Sequence, residues 1–416
     1  MKIIVLWALM SMIPSVSRAA STETLTVESL LKEVEENNPA VRAARERWQG
    51  ALEIPKSARA LPNPRASFDV PLQSVETRGG PIQGKASVSQ AIPFPGKRGL
   101  VGKVASLEAR VAQQGYRAAV LAMRSHAANL ALDLYHHRRA VEIFDQQIEL
   151  LRHFSRVAEK KYGAGRGTQA AAFRAQAELS VLENRRTKMR YNIRAEELRL
   201  NSLLGRREGT FVPPIEFQHG KALSGDREEL KGRALKTRPE LLAAMALEEV
   251  GEAKRRLALK RYFPDFLIGY ETTRIGSGGS SSNFDGRDAH SIRLGITLPF
   301  WRGANRARSS AAQREESAAT LEVEDLSRRT LSEVSELFER GLMLLEVTTR
   351  HGDVVLPQFR SVLAAAQRGY ESDSVSFEFL LDAERDLLDQ EIFHVRHHVE
   401  LAKLGPLMER LIGGSL

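Results

Sequence analysis

The chain has 416 residues, 27% of them charged and only 6% aromatic, with a formal net charge of +9 and no cysteine. Without cysteine there is neither a disulfide framework nor a thiol to carry a lipid anchor, and so few aromatics over Ala/Arg/Glu/Leu-rich stretches indicate long helices packed side by side. The positive charge is spread without a basic block or stacking aromatics, which argues against nucleic acid as the partner.

Residues 1–19 carry Lys2, the apolar run Ile3 to Ile13, Pro14 and the small residues Ser17 and Ala19. This is the make-up of a cleaved secretory signal, with an apolar run too short to span a bilayer as a helix. No later stretch offers about 18 consecutive apolar residues, so a membrane contact would have to be made by strands.

From there the chain states one pattern twice. Asn38-Pro39-Ala40-Val41 returns as Arg238-Pro239-Glu240-Leu241, Ile92-Pro93-Phe94 as Leu298-Pro299-Phe300, and Tyr162 with Ala175 as Tyr370 with Ala383. A period of about 200 residues is far beyond solenoid repeats and marks a duplicated structural unit. The expected units are 20–205 and 239–404, with a linker over 206–238 and a tail over 405–416.

Each unit opens with a short helix and continues with two strands, about 65–73 and 85–94 in the first and 265–274 and 290–300 in the second. Phe266, Ile268 and Tyr270 alternate with Leu267, Gly269 and Glu271, while Ile292, Leu294, Ile296 and Leu298 alternate with Ser291, Arg293, Gly295 and Thr297. The first copy is weaker, with Phe68, Val70 and Leu72, then Ala86, Val88 and Ile92, and Pro71 argues that its first strand ends there. The lengths approach the ~9–11 residues of a tilted membrane strand, and Phe94, Phe300 and Trp301 fall where aromatic girdles sit. A water-soluble hairpin with one buried face meets the same alternation. Gln73 to Gly84 and Ile275 to Ala289 read as flexible loops between the strands.

The strands lead into helices of about 97–161 and 305–368, the first roughly 95 Å long if continuous. Val104, Leu107, Val111, Gln114, Ala118, Leu121, Ser125, Ala128, Leu132 and Tyr135 recur at heptad spacing, as do Leu331, Val334, Phe338, Gly341 and Leu345, so coiled-coil packing is expected, with a kink at Pro357. Turns at Tyr162 to Thr168, including Gly165, and at Tyr370 to Ser376 reverse the chain into helices of about 168–204 and 376–404.

Four strands cannot sit in hydrocarbon with open edges, and small membrane barrels begin at about eight strands. The chain must therefore oligomerise, two copies giving eight strands and three giving twelve. The resulting class is an α+β membrane protein with coiled-coil helices continuing below the sheet.

The P-x-V/L opening of each unit, Ile92-Pro93-Phe94-Pro95-Gly96-Lys97-Arg98, Leu298-Pro299-Phe300-Trp301-Arg302-Gly303, Leu203-Leu204-Gly205, and Tyr370 followed by Leu381-Asp382-Ala383-Glu384 together resemble the TolC-type outer-membrane efflux channel family. The resemblance covers the whole mature chain. It implies a homotrimer in the outer membrane of a Gram-negative cell, with a trimeric 12-stranded β-barrel, a 12-helix α-barrel extending into the periplasm, and service as the exit duct for an inner-membrane pump joined by a periplasmic adaptor. Pro95-Gly96-Lys97-Arg98 is similar to the branch serving heavy-metal or other cation exporters. By the same resemblance Asp382 projects into the narrowed entrance. Glu378 lies one turn earlier on the same face, and three copies of each would form stacked anionic rings that favour cations. The family's other acidic position falls on Phe379, a departure from the pattern.

Other constellations carry little chemistry. Gly163 to Gly167 follows a helix rather than a strand and matches no nucleotide fingerprint. His394 and His398 share a face, but no carboxylate or cysteine motif completes a metal site. No nucleophile has a recognisable base, so an enzyme is not expected, and no cofactor is implied. The rival function is a soluble periplasmic coiled-coil adaptor or scaffold, which has no use for four alternating strands of bilayer length.

Overall fold

A computed structural model describes residues 26–73, 75–215, 225–278 and 285–416. The expected signal over 1–19 and the Gly/Ser stretch 279–284 lie outside them. In each repeat a pair of short helices leads into the sheet: α1 (Val27–Asn37) and α2 (Pro39–Ala58) in the first, α5 (Arg227–Thr237) and α6 (Pro239–Lys260) in the second. The linker 206–238 therefore contains α5, the counterpart of α1 at an offset of 200 residues. Its sequence is almost wholly polar, which is why periodicity does not reveal it; Asp226 caps it by accepting from Glu228 N at 3.1 Å, and only Leu230 and Ala234 are buried.

Both helix pairs turn at a residue before proline, where the helical region is disfavoured. Asn38 ends α1 and caps α2, its Oδ1 accepting from Ala40 N and Val41 N at 2.9 and 3.2 Å. Arg238 holds the same place in the second repeat by a different device: its buried guanidinium donates to Thr330 Oγ1 at 2.9 Å and Glu333 Oε2 at 2.7 Å, tying the turn to the next long helix.

The sheet is formed by β1 (Arg65–Asp69), β3 (Gly80–Ile92), β4 (Asp265–Ile275) and β5 (Ala289–Thr297), antiparallel in the order β1-β3-β4-β5, with a two-residue strand β2 (Glu76–Thr77) paired to β3 inside the expected first loop. β1 stops at Asp69 rather than reaching 73, because Pro71 has no N–H to give a neighbour and biases Val70 before it. β3 begins at Gly80, where φ is +118° and a Cβ would stand 1.8 Å from Gly276 O; only glycine permits the two hairpin loops to approach so closely. Each outer edge, β1 on one side and β5 on the other, has no strand partner among the described residues.

Below the sheet α3 (Lys97–Gly163) runs unbroken for 67 residues and returns as α4 (Gln169–Leu203). The second long helix departs from expectation. α7 (Arg302–Arg350) passes into a π-turn at His351–Val355 and then α8 (Leu356–Glu371), so the irregularity precedes Pro357 instead of centring on it. Proline cannot donate to the carbonyl four residues back, and one wider turn, in which Leu356 N–H reaches His351 O, absorbs the loss without breaking the helix. The final helix α9 (Phe377–Ile412) continues through Pro406 well past 404, so most of the expected tail is helical. Its end packs on α5, with Met408, Leu411 and Ile412 against Leu230 and Ala234, while Arg233 donates to Ser415 O at 2.7 Å.

Heptad spacing marks the packed side of α3 well: Leu107, Gln114, Ser125, Ala128 and Leu132 are buried. In α7 the buried residues from Thr330 onward are Thr330, Val334, Gly341, Leu344 and Thr348; Leu345 is exposed, so the packed position lies one residue earlier, at Leu344. The largest core joins the lower half of α3 to α4, α8 and α9 through Ile148, Leu151, Leu182, Leu363, Leu380, Leu381 and Leu388. No described helix is long and apolar enough to cross a membrane.

Candidate functional site

The candidate site residues singled out by sequence fall in two regions at opposite ends of the molecule. At the far end of the helices, the reversals at Ala164 to Thr168 and at Ser372 to Ser376 share one hydrogen-bonding scheme. Arg166 N donates to Lys161 O and Ser374 N to Gly369 O, both at 2.8 Å. Thr168 and Ser376 cap the returning helices by accepting from Ala171 N and Phe379 N, both at 3.3 Å. The turns require a left-handed residue, which is Gly165 (φ +75°) in the first and Asp373 (φ +60°) in the second, the only non-glycine with positive φ among the described residues.

Asp373 is held there by a contact across the repeats. Lys161 Nζ reaches Asp373 Oδ1 at 2.5 Å and also Tyr370 O, and it lies 4.3 Å from the centre of the Tyr370 ring. The hydrogen bond from Lys161 keeps the Asp373 carboxyl below its ordinary range. Tyr370 is buried against Phe377, and burial followed by the charges of Asp373 and Glu378 raises its hydroxyl pKa. Tyr162, its counterpart by sequence, is exposed. Lys161 was not legible as a site residue, since its partners lie more than 200 residues away.

Just inside this tip α9 divides into two faces. Phe377, Leu380, Leu381, Ala383, Glu384, Leu387 and Leu388 are buried, whereas Glu378, Asp382 and Asp386 form an exposed acidic stripe at intervals of four, with Phe379 exposed beside it. Among the described residues Asp382 meets only Arg385, loosely at 3.9 Å, because Arg385 is engaged by Glu178 of α4 at 2.8 Å. Asp386 extends the stripe beyond the two residues singled out by sequence.

Glu384 was also missed. It is 0% exposed, and neither carboxylate oxygen has a hydrogen-bond partner among the described residues. Burial, reinforced by Glu178, pushes its carboxyl up to about 7. Nothing in Leu381-Asp382-Ala383-Glu384 distinguishes the buried acid from the exposed one except its place in the helical period.

At the other end, strand register assembles one apolar face. Ile92, Phe266 and Ile296 stand in line, as do Gln90, Ile268 and Leu294, then Val88, Tyr270 and Ile292. These apolar side chains are exposed in the chain, Ile292 at 74% and Leu294 at 77%, and Leu298 continues the row below Ile296. The opposite face carries Ser67, Ser87, Glu271, Ser291 and Arg293, with Ser67 and Ser87 hydroxyls 2.8 Å apart and Arg293 paired to Glu271.

Midway along the helices, His351 of the π-turn stacks on His394 with ring centres 5.5 Å apart, and His394 meets His398 edge-on at 4.4 Å. Burial, then His398, lowers His394 to about 4. Among the described residues no group of three or more His, Asp or Glu is placed to hold a metal ion.

Residues 230–396 match the sequence profile of the family described as outer membrane efflux protein. No curated protein matches the chain. In fold it is similar to the outer membrane protein VceC of Vibrio cholerae (18% identity over 94% of this chain and 96% of that one, TM-score 0.79), to the CmeC outer membrane channel of Campylobacter jejuni (13%, 100% and 94%, 0.77) and to the transmembrane channel CusC (16%, 96% and 96%, 0.81). The family is one of transport channels, and these matches lend nothing to the adaptor reading. Residues 230–396 thus carry the profile of the outer membrane efflux proteins, and both repeats together have the fold of these outer-membrane channels.

Proposed function

We propose that three copies of the chain close their open sheet edges into a 12-stranded barrel in the outer membrane, continued by a 12-helix tube into the periplasm. The assembly is the exit duct of a tripartite efflux system fed by an inner-membrane pump through a periplasmic adaptor. The observation that carries this reading is a four-stranded sheet with both edges unpaired among the described residues and one face largely apolar, set at the end of helices about 100 Å long. Unpaired edges need partners before they enter hydrocarbon. The apolar set Phe266, Ile268, Tyr270, Ile292, Leu294, Ile296 and Leu298 then meets lipid, and the serine and charged face lines the lumen.

In this assembly the tip is the gate. The bridge from Lys161 to Tyr370 and Asp373 joins the two reversals of each chain, and Asp382 with Glu378 forms anionic rings at the entrance. The exposed acidic stripe on α9 supports that assignment. Single-channel recordings test it: Asp382→Asn should lower cation selectivity and raise the multivalent-cation concentration for half block about tenfold, a change of roughly 1.4 kcal/mol, without loss of assembled protein. Glu378→Gln should add a smaller effect of the same sign. A double variant that conducts like the parent would remove both residues from the aperture.

A further inference from the structure

All four junctions between strand and helix lie at one end of the sheet: the starts of β1 and β4, and the ends of β3 and β5. The segments crossing that end, residues 54–66, 94–103, 256–265 and 298–308, hold twelve Lys and Arg (three in each) against a single acid, Asp265. The loops at the other end, residues 70–84 and 276–289, hold two Arg and three acids. The positive belt is thus confined to the rim where the sheet meets the helices.

Within the belt some cations are engaged by the protein itself. Lys97 donates to Asp265 at 2.8 Å and to Phe263 O at 3.0 Å, Arg98 caps Arg59 O, and Lys260 lies over the stacked rings of Phe94 and Phe263. Arg59, Arg261, Arg302, Arg306 and Arg308 are exposed with no carboxylate partner among the described residues. Their placement works against the helices: α3 and α7 begin there with no acid in the first turn and no side-chain cap, while basic residues occupy the dipole's positive end. Beside them Phe300 and Trp301 are 77% and 83% exposed, and the amphipathic ring of tryptophan is one that favours the headgroup level of a bilayer.

We propose that this rim is a binding collar for anionic phospholipid headgroups of the leaflet facing the periplasm, the lipid phosphates being held by Arg302, Arg306, Arg308, Arg59 and Arg261. The collar rests on the outer-membrane placement of the barrel. The lipid selects the rim because a band of arginine beside interfacial aromatics meets phosphate at fixed depth. The collar fixes the depth of the barrel and marks which end of it faces the periplasm.

The test uses Trp301 as the reporter in a Trp7→Phe/Trp48→Phe background, with assembled protein in phosphatidylcholine vesicles containing equal fractions of brominated phosphatidylglycerol or brominated phosphatidylcholine. The phosphatidylglycerol label should quench Trp301 at least about twofold more strongly at low ionic strength, with the preference fading near 0.5 M salt. It should also fall to parity in Arg302→Gln/Arg306→Gln/Arg308→Gln. Equal quenching by both labels in protein that floats with vesicles, or a preference untouched by the triple variant, would overturn the collar and leave insertion intact; the former result is what arginines turned to the lumen would give. Failure of quenching by either label, with no flotation, would overturn the collar together with the membrane reading beneath it.

Discussion

Arginine at Ile268 or Leu294 is expected to destabilise the bilayer-inserted protein by about 2–4 kcal/mol, the cost of a cation near the bilayer midplane of a barrel's lipid face. The two side chains stand directly opposite each other on β4 and β5 and point to the same exposed apolar face. Ser291→Arg places the same charge one residue from Ile292 but on the other face, where register sets it beside Glu271, and should change stability by less than about 1 kcal/mol. Chemical unfolding in liposomes measures all three. Equal destabilisation by the three substitutions would show that neither sheet face meets hydrocarbon.

The second large effect belongs to Glu384. Its carboxyl is raised from 4.5 in the unfolded chain to about 7 in the folded protein by burial and then by Glu178, with Arg385 and Arg185 opposing and Asp389 reinforcing the shift. A folded pKa above the unfolded one contributes stability that is complete below about 4.5 and is lost as pH rises through about 7. Glu384→Gln keeps the shape and removes the titration. The variant should match the parent near pH 4.5 and exceed its unfolding free energy by up to about 3 kcal/mol above pH 7, from about 2.5 pH units at roughly 1.36 kcal/mol each. His136 and His394, both lowered to about 4 chiefly by burial, act with opposite sign: their contribution is present above 6.5 and lost as pH falls toward 4. They are common to both proteins, so the difference curve isolates Glu384. An offset that does not vary with pH would mean the buried acid does not titrate in this window.

Much of the architecture was legible because it rests on periodicity. Alternation over Phe266 to Thr273 marked the strand and its exposed face, and the three-four rhythm from Val104 to Tyr135 marked the packed side of α3. What escaped were features set by distant contacts. α5 has too few apolar residues to show a period and is held by Met408 and Leu411 from the far end of the chain. The π-turn answers Pro357 several residues upstream, and the run through Pro406 depends on the packing of α9 against its neighbours. At the tip, Asp382 and Glu378 were marked by their place after the turn, but Lys161 acts on groups more than 200 residues away, and Glu384 is distinguished from Asp382 only by which side of α9 is covered.

The central claim is closure by three chains, and the absence of native cysteine makes it directly measurable. With Ala66→Cys on the free edge of β1, paired in turn with His290→Cys, Ile292→Cys or Leu294→Cys on the free edge of β5, oxidation in membranes should link one chain's β1 to the next chain's β5. The product ladder should end at a covalent trimer, the twelve strands of a closed barrel. A ladder ending at two chains, or membrane-inserted protein that conducts without any cross-link between copies, would contradict it.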